Sequence, residues 1–95
     1  MDKITVYGST VCPGTLRFLA ILTEHGYMPV FENVTGSITL LKEFIRLRDT
    51  LPCFAGLHGT GAIGFPLIKL PNGTYTRDYA AVLKSLGIDA PYEFR

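Results

Sequence analysis

The stretch Ile4-Thr5-Val6-Tyr7-Gly8-Ser9-Thr10-Val11-Cys12-Pro13-Gly14-Thr15 admits few folds. A β-branched run passes through a short Gly/Ser/Thr turn straight into a helix-period apolar pattern, with a cysteine at the joint. Proline suits the first helical position, where its missing N–H is no loss and its φ is already helical. Cys12 therefore falls at the N-cap or within one residue of it. Unpaired N–H groups and the positive end of the helix dipole favour a thiolate there. A nucleophile suits that place, and so does a small buried cysteine that only packs.

A dithiol site would need a second cysteine where Thr15 stands, so Cys12 cannot close a short local disulfide. Thr15 is instead expected to offer its hydroxyl hydrogen to the Cys12 sulfur across the first helical turn. Cys12, His25, Cys53 and His58 show no paired short spacing of the zinc-site kind, so no metal is expected.

The chain reads as one domain, residues 1–95, with 47% hydrophobic residues to build a single core. A net charge of +1 supplies no basic field for nucleic acid. No apolar run approaches the roughly 20 residues that cross a bilayer, and Met-Asp-Lys-Ile opens no signal-peptide core. A reducing cytoplasm is the expected home, with no membrane or nucleic-acid partner.

The first strand is expected over Lys3–Tyr7, with Ile4 and Val6 on one face and Thr5 and Tyr7 on the other. Helix one should run from Pro13 to about His25, burying Leu16, Phe18, Leu19, Ile21 and Leu22, with Gly26 just past its end. Met28–Val34 reads as a second strand, placed at an edge by Pro29. Ser37 should cap a helix over Ile38–Thr50 that ends before Pro52. Ile38, Leu40, Leu41, Phe44, Ile45 and Leu47 form its apolar face, and Arg48 falls in the middle of that face. A guanidinium there must snorkel, cap carbonyls or meet an anion.

Leu51–Gly64 reads as a glycine-punctuated loop in which Cys53 packs. Phe65–Leu70 and Gly73–Arg77 read as a hairpin turned at Pro71-Asn72-Gly73, with Asn-Gly taking positive φ. Asp78 should cap a final helix over Tyr79–Leu86, stopped by Gly87. Ala90–Arg95 reads as a loosely held tail.

Five groups, taken together, resemble the glutaredoxin branch of the thioredoxin-fold superfamily: Val6-Tyr7-Gly8-Ser9, Cys12-Pro13-Gly14-Thr15, Phe44 with Arg48-Asp49, Ile63-Gly64-Phe65-Pro66, and Asn72-Gly73 leading to Arg77-Asp78. The resemblance covers about residues 3–86. It implies an α/β, thioredoxin-like fold of β-α-β-α-β-β-α order, with a four-stranded mixed sheet in strand order 2-1-3-4 flanked by three helices.

It also implies a monomeric monothiol enzyme that exchanges disulfides with glutathione, or another low-molecular-weight thiol, as co-substrate, acting on glutathionylated or disulfide-bearing substrates. Cys12, Pro13 and Thr15 would be the catalytic positions. Pro66 would be cis beside Cys12, with the backbone of Phe65 pairing to the cysteinyl part of glutathione. Arg77 and Asp78 would hold the γ-glutamyl end, and Arg48 the glycyl carboxylate. Ser9 stands where many glutaredoxins carry a lysine. Two other roles fit the same residues: a glutathione-ligated [2Fe–2S] carrier joined through Cys12 thiolates, and a thioredoxin-fold interaction module without turnover.

Overall fold

A computed structural model describes residues 3–89; the expected tail at Ala90–Arg95 lies outside the described residues. Strand β1 (Thr5–Gly8) leads into helix α1 (Pro13–Glu24), strand β2 (Val30–Asn33), helix α2 (Ile38–Thr50), strands β3 (Leu67–Lys69) and β4 (Tyr75–Thr76), and helix α3 (Tyr79–Ser85). Short 3-10 turns at Val34–Gly36 and Pro52–Leu57 flank α2. The four strands form one mixed sheet in the order β2-β1-β3-β4. β1 and β2 run parallel, with Thr5 opposite Val30 and Gly8 opposite Asn33. β3 runs antiparallel to both β1 and β4.

The central strand alternates as its sequence requires, and the two faces of the sheet carry separate cores. Ile4 and Val6 join Phe18, Ile21 and Leu22 of α1, Ile68 of β3, and Val82 and Leu83 of α3. On the other face Tyr7 and Leu67 meet Val34, Phe44 of α2 and Phe54. The Phe44 and Phe54 rings pack edge to face, with centroids 5.8 Å apart at 88°, a favoured aromatic geometry.

Local chemistry ends the helices. After α1, Gly26 N–H donates to Thr23 O at 3.0 Å and Tyr27 N–H to Leu22 O at 3.0 Å. After α3, Gly87 and Ile88 repeat that pair of bonds to Lys84 O and Leu83 O. Both ends are Schellman motifs closed on core leucines. Ser37 and Asp78 cap α2 and α3 as expected, accepting from Leu40 N–H at 3.3 Å and Ala81 N–H at 3.0 Å.

Several expectations need correction. Leu16 is 46% exposed; the buried stripe of α1 passes instead through Thr15, Phe18, Ile21 and Leu22. Ile38 and Ile45 also face solvent, so α2 packs through Leu41, Phe44 and Leu47. The second strand begins only after Pro29, which has no N–H to donate, and ends where Val34 opens a 3-10 turn. The hairpin closes through Gly73 N–H to Leu70 O at 2.9 Å with only Gly73 at positive φ, not Asn72. Asn72 instead accepts from Thr74 N–H at 2.9 Å. The supposed loop after α2 begins with the 3-10 turn that buries Phe54 completely.

Candidate functional site

The joint between β1 and α1 places Cys12 at the N-cap of α1, in extended backbone, with Pro13 at the first helical position. Cys12 N–H donates back to Ser9 O at 3.1 Å, and the first helical bond runs from Leu16 N–H to Cys12 O at 3.1 Å. Gly14 and Thr15 therefore keep N–H groups with no partner inside the helix. The sulfur lies over that turn: a β-carbon on Gly14 would sit 3.9 Å from it. The thiol is free and half-buried.

A groove of about 450 Å³ opens beside the sulfur, lined by Ser9, Val11, Cys12, Thr35, Gly61, Ile63, Gly64 and Phe65. Among the described residues no charged side chain lines it. Val11 and Ile63 are its exposed lips. Phe65 lines the same groove as Cys12, and the Phe65–Pro66 peptide bond is cis. No hydrogen bond within the described residues uses the Phe65 N–H or C=O.

The floor of the groove is a neutral hydrogen-bond network. Ser9 is buried, its Oγ lies 2.6 Å from Thr35 Oγ1 and accepts from Val11 N–H at 3.1 Å. Thr35 Oγ1 donates to Asn33 Oδ1 at 3.2 Å, and Thr10 N–H reaches the same oxygen at 3.4 Å. Asn33 and Thr35 thus tie the turn before Cys12 to the end of β2. Sequence reasoning missed this role, because the bonds join segments 23 and 26 positions apart.

Thr15 is fully buried, and its Oγ1 accepts from Ser9 N–H at 3.4 Å. No hydrogen bond joins it to the Cys12 sulfur, which corrects the expected assistance. The reason is packing: Gly8 presents no side chain, and the Thr15 methyl and hydroxyl fill that space. Arg48 is likewise not turned toward a ligand. Its Nε donates to Ile63 O at 3.2 Å, and its Nη2 donates to Leu57 O at 3.2 Å and to Ala62 O.

Arg77 Nε donates to Gly64 O at 3.0 Å, with the guanidinium 5.5 Å from the centre of the Phe54 ring. Neither arginine nor Asp78 lines the groove. Cys53 packs beside the core around Phe54.

Both histidines close helix ends. With its proton on Nδ1, His25 donates to Ile21 O at 2.9 Å. With its proton on Nε2, His58 donates to Arg48 O at 2.7 Å. Among the described residues no three of His, Cys, Asp and Glu come together, and no helix is long and apolar enough to cross a membrane. A larger hollow of about 700 Å³, bordered by Met28, Pro29, Leu70 and Leu86, lies at the opposite end of the sheet and contains no cysteine.

Fold and site together define an α/β protein with a single mixed sheet and a free cysteine heading its first helix. A curated Haemophilus influenzae protein, described as "Uncharacterized protein", is 35% identical over 78 residues, spanning 82% of this chain and 91% of that protein. The chain belongs to the family of that protein. No protein-family model matches the chain, and no solved structure matches it.

Proposed function

We propose that the protein has a thioredoxin-like fold of the glutaredoxin kind and is a monothiol thiol–disulfide oxidoreductase with glutathione as co-substrate. The observation that carries this reading is the pairing of Cys12 and Phe65 in one groove. A free sulfur stands over an open helix turn, in a groove also lined by Phe65, whose backbone groups no neighbour among the described residues uses. An extended segment bearing a disulfide can bond to Phe65 as a strand would, which sets its sulfur against Cys12.

The exchange needs no other catalytic side chain. The Cys12 thiolate attacks the glutathione sulfur of a mixed disulfide; the new Cys12–glutathione bond forms as the old one breaks, and the substrate thiolate leaves and takes a proton from water. A second glutathione thiolate then attacks the glutathione sulfur held on Cys12. Glutathione disulfide leaves and Cys12 regains its thiolate. One glutathione thiol is consumed for each mixed disulfide reduced, and the glutathionyl group that came with the substrate becomes the other half of glutathione disulfide.

Pro13 contributes by starting the helix without an N–H that needs a partner. Arg77 and Asp78, at the head of α3, are the groups proposed for the γ-glutamyl end. The carboxylate contact implied for Arg48 is not part of this reading, because its Nε and Nη2 are bonded to carbonyls.

Mass spectrometry of the intact protein tests the proposal. Oxidised glutathione should add one glutathionyl group at Cys12, and reduced glutathione should then remove it. A protein that takes up no adduct, or keeps it, does not work this way.

A further inference from the structure

The wall of the groove opposite α1 is the segment from Leu57 to Gly64, which has little of its own to hold it. Its internal bonds are Thr60 N–H to Leu57 O at 3.1 Å, Thr60 Oγ1–H to the same carbonyl, and Ala62 N–H to Thr60 Oγ1. Gly59, Gly61 and Gly64 punctuate it, and Gly61, Ile63 and Gly64 line the groove.

Arg77 holds its far end through Gly64 O at 3.0 Å, and the rest of the segment is fixed from α2. One guanidinium, that of Arg48, donates to the carbonyls of Leu57, Ala62 and Ile63, spanning the segment. His58 returns a bond to the Arg48 carbonyl at 2.7 Å. A planar fork with fixed donor directions can hold three carbonyls at once; the single ammonium of lysine, on a flexible stem, cannot copy that geometry.

We propose that Arg48 is a positioning residue for the Cys12 site: by gripping the carbonyls of Leu57, Ala62 and Ile63 it sets the groove wall against which the disulfide partner is held. This rests on the exchange reading above. It differs from a carboxylate contact, because Arg48 acts through the protein's own backbone and never touches the partner. Its effect therefore does not depend on the partner's charge.

Two disulfides separate the roles: a glutathionylated peptide, which carries carboxylates, and hydroxyethyl disulfide, which carries none. Arg48→Lys and Arg48→Met should both raise KM about tenfold for both, while kcat stays within about twofold. Iodoacetamide should alkylate Cys12 at the wild-type rate in each variant. Amide exchange over residues 59–64 should accelerate, while that of Val6 and Tyr7 in β1 stays slow, which separates loop loosening from unfolding.

A KM that Arg48→Lys restores, or a defect seen only with the glutathionylated peptide, would show a charge contact and overturn the proposal. So would unchanged amide exchange over residues 59–64. A wild-type protein that turns over neither disulfide instead overturns the exchange reading, and the positioning role falls with it.

Discussion

A β-carbon on Gly8 would lie 2.5 Å from both Cγ2 and Oγ1 of Thr15. The end of β1 and the first turn of α1 are thus in direct contact, and the helix that carries Cys12 is seated on a bare glycine. Gly8→Ala forces that turn outward in a packed interior, where overpacking costs about 1–3 kcal/mol. Urea unfolding should show a lower midpoint with an unchanged slope. A midpoint equal to wild type would mean that α1 is not seated there.

The two cysteines should behave differently. Cys12→Ser is expected to abolish reduction of a glutathionylated thiol, since it removes the sulfur that the groove exposes. Cys53→Ser should keep most of the activity, because that side chain packs beside Phe54 on the α2 side of the sheet. Following release of the substrate thiol in a coupled glutathione assay decides both. Equal activity in wild type and Cys12→Ser would remove the proposed chemistry.

Thr15 separates packing from assistance. Its hydroxyl bonds to Ser9 N–H, not to the sulfur, so Thr15→Val should leave that buried donor unsatisfied and cost about 1–3 kcal/mol. Thr15→Ser keeps the acceptor and loses only a methyl group. Cys12 alkylation by iodoacetamide at pH 7 should be nearly the same in all three proteins. A rate that collapses in Thr15→Val while Thr15→Ser holds would restore the hydroxyl to a role at the sulfur.

The elements were legible where local chemistry decides them. Pro13, Ser37, Asp78, Gly26 and Gly87 mark helix ends by their own bonding habits, and the structure has helix ends at each. Pro29 pointed correctly to an edge strand. What a wheel could not foresee is which apolar residues find a partner. Leu16 and Ile38 sit on helices of the expected length yet face water, while Thr15 is buried because Gly8 leaves a gap for it.

The site followed the same rule. The position of Cys12 could be read from its neighbours in sequence, but the roles of Arg48, Asn33 and Thr35 depend on contacts between distant segments. Arg48 was visible as a misfit, and its partners were not, because backbone carbonyls of a remote loop leave no mark in composition.

Tyr7 and Glu43 yield a pH-dependent test of the core on the α2 face. Tyr7 is 6% exposed, and its hydroxyl donates to Glu43 Oε1 at 3.1 Å. Burial, reinforced by the hydrogen bond and by the charge of that carboxylate, holds the phenol above the ordinary tyrosine range. The folded state thus keeps a proton that the unfolded chain releases near pH 10. This contribution is fully present below that pH and declines as pH rises toward the folded value. Tyr7→Phe should cost about 0.5–1.5 kcal/mol at pH 7, the net value of one such bond, toward the lower end because Glu43 is only half-buried and can turn to water. Above about pH 10 the gap between wild type and Tyr7→Phe should close, because only wild type must keep a tyrosine from ionising there. Denaturation midpoints measured from pH 7 to 11 decide the matter, and two curves that stay parallel throughout would mean that the Tyr7 phenol ionises as freely in the folded protein as in the unfolded chain.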